Sequence, residues 1–417
     1  MESISRSDRQ ILRALASKQH EIAASPQMQE LCQLWIAHND GQASRPLVVI
    51  EWETFAQEAI APLLHCTGEQ ARQVEWALYA NFVGHELFHD DSFVNDFMPV
   101  TRTLRFTPFG IEPQLSHAKD SSSIAYHYHE IITDLEDDFS LLGKATFEVD
   151  ETKSNQQLAL YNELFGDILP AKLFGSGLYA VPTQILVHLM SMETMLFSMM
   201  DYPQRFHEMM NRLADDYLTY FHFLQEHHFL LPTTRNEHVG NGTFAFTNEL
   251  PAAEQLGGRP VTLHDIWGFM DSQETTGISP EMYHEFIFPY YQKISAPFGL
   301  LSYGCCEAVD PIWDRDLSTL SNLRKVSISP WCNEQIMGER LAGKKIIYHR
   351  KPSPNYLGVD RVLDTEGFRK HIQTTLQAAR GCLVEFTQRD VYTVHGDMEK
   401  VREYVRIVRQ CIDERPV

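Results

Sequence analysis

Two sets of residues have the types and spacing to do chemistry. The first is His85-Glu86-Leu87-Phe88-His89, a literal H-E-x-x-H. On a helix this places two imidazoles one turn apart, where they can bind zinc, with Glu86 as the general base of a metallopeptidase. Glu130 and Asp134 downstream offer a third ligand and its supporting carboxylate. Two facts weigh against this reading. A chain with 19 His meets the pattern by chance often enough, and DDSFVND follows His89 where a third histidine would extend it. The bland alternative is a polar helix end running into the acidic turn His89-Asp90-Asp91.

The second set stands at the ends of short apolar runs in the C-terminal half. Asp271, Gln273 and Glu274 close one run, and Cys305, Cys306 and Glu307 close the next. Trp331, Cys332 and Asn333 follow, then His349 and Lys351, then Thr387, Gln388, Arg389 and Asp390. Asp271 reads as a general acid or base, or as a helix-capping carboxylate. His349 and Lys351 suit binding a carboxylate or moving a proton. Glu385 interrupts an apolar strand whose outer face should be covered by helices, so it should point inward toward Thr387 and Arg389. The methionine-rich run MSMETMLFSMM (190–200) has helical spacing and reads as core.

These groups converge only if the elements carrying them are parallel. The expected strands are LVVIEW (47–52), then 99–106, 169–175, 266–273, 298–305, 324–331, 344–351 and 381–388. Between them fall helical patterns over 184–200, 203–228, 280–296, 333–342, 366–379 and 397–413, after a helical start over 7–40 and 68–87. Strands alternating with helices predict parallel pairing through crossovers. Some eight units over about 320 residues favour an α/β fold of the (β/α)8 TIM-barrel type. In such a barrel the C-terminal strand ends form one mouth, where Asp271, Glu307, His349, Lys351, Glu385 and Arg389 would meet. The expected division is an N-terminal helical extension with one strand over 1–94, packed on a barrel over 95–417.

Composition bounds the function. In 417 residues, 56 acidic against 35 basic side chains give a net charge of −21. Such a field repels phosphate backbones and anionic bilayers, so neither nucleic acid nor membrane is an expected partner. With 43% hydrophobic residues the chain can bury a full core, yet no window approaches the roughly 20 apolar residues of a membrane span. The start is polar, without an apolar signal region, so the expected location is cytoplasmic. Seven cysteines in this length are not a disulfide framework.

The stretch DSQETTGISPEMYHEFIFPYYQKISAPFGLLSYGCCE (271–307) resembles the uroporphyrinogen decarboxylase superfamily: an acidic strand end, a Ser-Pro helix start, then a strand ending at a ligand site. DYPQRFHEMM, IWDRDLSTLSNLRKVSISPW and DMEKVREYVRIV fit the same pattern, so the resemblance covers roughly residues 95–417. It implies a barrel with its site at the C-terminal mouth. The arginine-rich motif by which the decarboxylases grip porphyrinogen carboxylates has no counterpart here. The chain is more similar to the corrinoid methyltransferase branch, whose zinc sits on an H-x-C plus a later cysteine. Tyr303-Gly304-Cys305 stands at that triplet, with Tyr in place of His, and the later position falls near Arg389-Asp390.

The resemblance therefore implies a rebuilt zinc set of Cys305 and Glu307 with His349 or Glu385, activating a thiol as methyl acceptor. Strand alternation would place Tyr303, Cys305 and Glu307 on one face and Cys306 on the other. The competing reading is a pair of small buried thiols, with Glu307 paired to Lys351 or Arg389. No cobalamin-binding D-x-H-x-x-G sequence occurs, so a corrinoid would arrive on a partner protein. The expected activity is methyl transfer between that corrinoid and a small acceptor. The alternatives are a decarboxylase of a small carboxylated substrate, a zinc peptidase at His85, Glu86 and His89, and an inactive binding barrel. A homodimer is a further expectation.

Overall fold

A computed structural model of the protein describes residues 4–42, 45–117, 126–175, 178–234 and 238–414. Its centre is a parallel sheet of seven strands: β1 (Leu47–Ile50), β2 (Leu178–Ala180), β3 (Trp267–Met270), β4 (Leu300–Tyr303), β5 (Leu323–Ile328), β6 (Ile347–Arg350) and β7 (Leu383–Gln388). The spatial order is β1-β7-β6-β5-β4-β3-β2, so only β1 is out of chain sequence. Every residue of β1, β3, β4, β5 and β6 is buried. A parallel strand covered on both faces has to be buried along its whole length, which is why LVVI and WGFM look as they do.

Helices return the chain between consecutive strands, and their starts are written locally. Ser279 precedes Pro280–Phe286 and accepts the backbone N–H of Met282, with Pro280 at the first helical position. Asn333, Asp364 and Asp397 cap Glu334–Leu341, Thr365–Ala378 and Met398–Asp413 in the same way. Among the described residues no helix is long and apolar enough to cross a membrane.

Three features depart from the sequence expectation. First, the strand expected to belong to an N-terminal extension is part of the sheet, with Leu47 opposite Glu385 and Val49 opposite Thr387. The helices α1 (Arg6–Ala23) and α2 (Pro26–Asn39) precede it, so the division at 94/95 does not follow the architecture. Second, the expected strands 99–106 and 169–175 lie outside the sheet. Met98–Val100 pairs only with Ala171–Leu173, and Thr103–Thr107 forms an antiparallel ladder with Thr146–Asp150. The alternating exposure of 103–107 and 146–150 fits a two-stranded ribbon with one face in solvent rather than a doubly covered strand. Third, among the described residues no eighth strand joins β1 to β2.

The segment 238–247 lies between those two edges. Its bridge between His238 and Phe244 closes a turn in which Gly240, Asn241 and Gly242 all have positive φ. A Cβ on Gly240 would stand 2.3 Å from the Phe269 ring of β3, and one on Gly242 would stand 2.7 Å from Thr387 of β7. Lys325 of β5 donates to Thr243 Oγ1 (2.6 Å) and to the Phe244 carbonyl (3.2 Å), and Trp267 donates to the Ala245 carbonyl. Asn39, at the end of α2, donates to the carbonyls of Phe244 and Phe246. The hairpin is thus held at its base by buried polar groups, and its tip reaches the C-terminal strand ends. Gly240→Ala should cost about 1–3 kcal/mol of stability, read as a lower urea midpoint, because both the left-handed φ and the Phe269 contact exclude a side chain.

Candidate functional site

The sheet register decides which groups meet. Ser327, His349 and Glu385 are partners across β5, β6 and β7 and so point to the same side. Glu385 is buried, with Lys325 Nζ 3.1 Å away, His349 Nδ1 at 3.2 Å and His38 Nε2 of α2 at 3.2 Å. Burial works to raise its pKa, but Lys325, His349 and His38 outweigh it and hold the carboxyl well below the usual range. Lys325 also lies over the rings of Trp35 and Trp267. Burial lowers the pKa of Lys325, of His38 and, strongly, of His349, where Lys351 adds to the effect.

One step closer to the C-terminal strand ends, His349 Nε2 lies 2.8 Å from Thr387 Oγ1 and accepts a hydrogen bond from Lys351 Nζ at 2.9 Å. Lys351 also donates to the Asn241 carbonyl at 2.8 Å. Burial, helped by the neighbouring Arg389 cation, brings the Lys351 pKa down to about 7. Arg389 Nη1 donates to Cys305 Sγ at 2.9 Å and to Asn241 Oδ1, while its Nε lies 3.1 Å from Glu51 Oε2 just past β1. Asn241 completes the set by donating to the Gly304 carbonyl at 2.7 Å. The glycine-flanked tip of the hairpin therefore touches three of the strand ends.

The acidic side is built from β3 and β4. Glu307 accepts the N–H of Ser272 (2.9 Å) and of Cys305 (2.8 Å), so each carboxylate oxygen is used locally. Neither Lys351 nor Arg389 pairs with it. Burial nevertheless raises its pKa. Tyr303 is buried, 2.6 Å from both Ser272 Oγ and Tyr283 OH. Asp271 differs from all of these. The residue is 3% exposed, and its Oδ1 makes no hydrogen bond among the described residues. Burial first, then the fields of Glu307, Cys305 and Glu274, push its pKa up to about 9 despite Arg389. At neutral pH Asp271 is a protonated acid, not a helix cap.

Of the six expected catalytic residues, Lys351 and Arg389 stand together at the C-terminal strand ends, both against Asn241, with His349 directly beneath them. Glu385 lies below these, turned from Arg389 toward the Lys325 level. Asp271 and Glu307 share the β3–β4 side. The expected zinc donors do not form a ligand set. Cys305 Sγ faces the Arg389 cation, Glu307 is occupied by two backbone N–H groups, and both ring nitrogens of His349 face protein partners. No group of three or more His, Cys, Asp or Glu side chains among the described residues could hold a metal ion. The alternation argument for Cys306 also fails. The strand ends at Tyr303, and Gly304 turns the chain with φ 96°, so Cys305 and Cys306 leave it side by side.

His85, Glu86 and His89 are not arranged as a peptidase centre. Residues 84–88 form a wider π-helical turn, and His89 is left-handed, so the one-turn stacking of the two imidazoles is lost. Glu86 pairs with Lys18 at 2.7 Å. The two histidines line an open cleft of about 590 Å³ with Asp90, Asp91, Arg45 and Arg409. Asn241, Lys325 and His38 were missed from sequence. Lys325 interrupts the apolar run of β5 and Asn241 sits between two glycines, but His38 carries no such signal.

The fold has a counterpart among solved structures. A methyltransferase from Methanosarcina mazei shares it with a TM-score of 0.50 and 12% sequence identity, over 92% of this chain and 98% of that one. No family model and no curated protein matches the chain.

Proposed function

We propose that the protein is an enzyme of the uroporphyrinogen decarboxylase superfamily that transfers a methyl group between a small substrate and a corrinoid carried by a partner protein. In this reading the sheet curls into a TIM barrel whose eighth position is taken by hairpin 238–247. The observation that carries it is Asp271: a protonated, buried carboxyl with an unpartnered oxygen at the same mouth as the Lys351 and Arg389 cations. A neutral acid beside cations is suited to hold an anionic substrate and hand a proton to its leaving group as the methyl departs. Arg389, fixed by Asn241 and Glu51, orients the anion; Lys351, held by the Asn241 carbonyl and His349, neutralises it. Burial first, with the fields of Glu307, Cys305 and Glu274, keeps Asp271 protonated. No step is assigned to zinc, because the donors do not fit one.

The partner's place is supported by exposed apolar side chains on loops after β5, β6 and β7: Trp331, Val359, Val362 and Tyr392. A methyl carrier seated there would face the mouth. The same acid and cations also favour a second reading, decarboxylation of a small acid with Asp271 protonating the carbanion.

The test incubates the protein with free methylcobalamin or cob(I)alamin and a panel of small methylated and carboxylated acids, following the cobalt–methyl absorbance and released CO2. Cobalt-methyl turnover supports the first reading and CO2 release the second. No turnover with any acid, and no binding of any, would overturn both. The pH profile should separate two groups. Lys351 loses its charge as pH rises through about 7, so KM for an anionic substrate should rise there. Asp271 loses its proton only through about 9, so kcat should fall on that later limb. A single limb at the ordinary lysine pKa would contradict this assignment.

A further inference from the structure

We infer that Cys305 and Cys306 form a redox-active vicinal dithiol, a site of reversible disulfide formation at the mouth. In a continuing strand these neighbours would point to opposite faces. Here β4 stops at Tyr303, and Gly304 adopts φ 96°, where a Cβ would stand 3.0 Å from Ser327. The turn brings the two sulfurs to 3.5 Å. The turn is pinned from three sides: Ser327 Oγ donates to the Cys305 carbonyl (2.9 Å), Asn241 donates to the Gly304 carbonyl (2.7 Å), and Glu307 accepts the Cys305 N–H (2.8 Å).

The two thiols are not equivalent. Cys305 is buried and takes the Arg389 guanidinium at 2.9 Å. Cys306 is half-buried and lies 3.4 Å from Asp390 Oδ2, which can accept its proton. That asymmetry divides the roles of attacking and resolving thiol. Cys306, its proton passed to Asp390, attacks one sulfur of a small-molecule disulfide such as oxidised glutathione. A mixed disulfide forms and one glutathione thiolate leaves. Cys305 then attacks Cys306 Sγ, closing the Cys305–Cys306 bond and releasing the second glutathione thiolate. The two protons shed by the cysteines end on the two glutathiones, and the two electrons lost by the dithiol reduce the added disulfide. The inference concerns the dithiol alone and does not depend on the reaction proposed above.

The test oxidises the full-length protein with oxidised glutathione, traps free thiols with iodoacetamide and maps peptides by mass spectrometry. The 305–306 peptide should be lighter by two hydrogens, resist alkylation, and become doubly alkylated after dithiothreitol. Cys305→Ser should accumulate a glutathione adduct on Cys306, since the resolving thiol is gone. Cys306→Ser should show neither adduct nor ring at Cys305. Circular dichroism of both variants checks that they are folded. Two free thiols after oxidation of the wild type, or a glutathione adduct on Cys306 that never resolves, would overturn the inference.

Discussion

Replacing Asp271 by Asn should make the protein slower and more stable at once. The amide keeps the shape but cannot deliver a proton, so kcat for the proposed transfer should fall by about 10²–10⁴. Stability should move the other way. In the folded protein Asp271 holds its proton up to about pH 9, against an ordinary aspartate value of 3.8. Between those values the unfolded chain has released the proton and the folded one has not, so this residue costs stability as pH rises through that window. Asn removes the cost. At pH 7 the gain is on the order of 4 kcal/mol, and it should vanish only below about pH 3, where both states are protonated. Thermal melts of wild type and variant from pH 4 to 9 should diverge with pH. Parallel melts would show that Asp271 is an ordinary carboxylate.

The second large effect belongs to Glu385. Its carboxylate pairs with the His38, Lys325 and His349 side chains together. Glu385→Gln removes its charge and strands Lys325 in the interior, which should cost about 3–5 kcal/mol in a denaturant titration. The double variant Glu385→Gln with Lys325→Met should recover a large part of that, since no uncompensated ion remains. The pH dependence has a defined sign. Glu385 is held ionised and the two histidines neutral, so the unfolded state binds more protons as pH falls below about 6.5. The wild type should therefore lose stability on acidification, first through the histidines and then through Glu385. The double variant keeps the histidine limb and should lose the later one, below about pH 4.5, that belongs to Glu385.

Six of the seven sheet strands were legible because most are short apolar runs closed by polar residues, and because caps such as Ser279-Pro280 and Asn333 mark the crossovers. The edge strand β2 (Leu178–Ala180) was not among the expected ones. The N-terminal boundary was not legible either. LVVI reads the same whether it joins a local ribbon or pairs with β7, because pairing across most of the chain leaves no local mark. Likewise 99–106 has strand character without the continuous burial of a sheet member. At the site, charge at strand ends pointed to Lys351, Arg389 and Asp271. What failed was inference from alternation past the end of a strand: a single glycine at 304 overturned the expected faces of Cys305 and Cys306. Asn241 lies far from the strand ends in sequence, and its role is set by a hairpin whose packing only three dimensions reveal.

The pairing of β1 with β7 bears on how the molecule is made. Leu47 and its partner Glu385 are about 340 residues apart in the chain. A ribosome synthesising at roughly 5–20 residues per second presents the first strand tens of seconds before its neighbour exists. Throughout that interval LVVI is an apolar edge without its partner, the kind of segment on which nascent chains associate. The acidic surplus of the finished protein is already present in the emerging chain and keeps copies apart while the last strand is awaited.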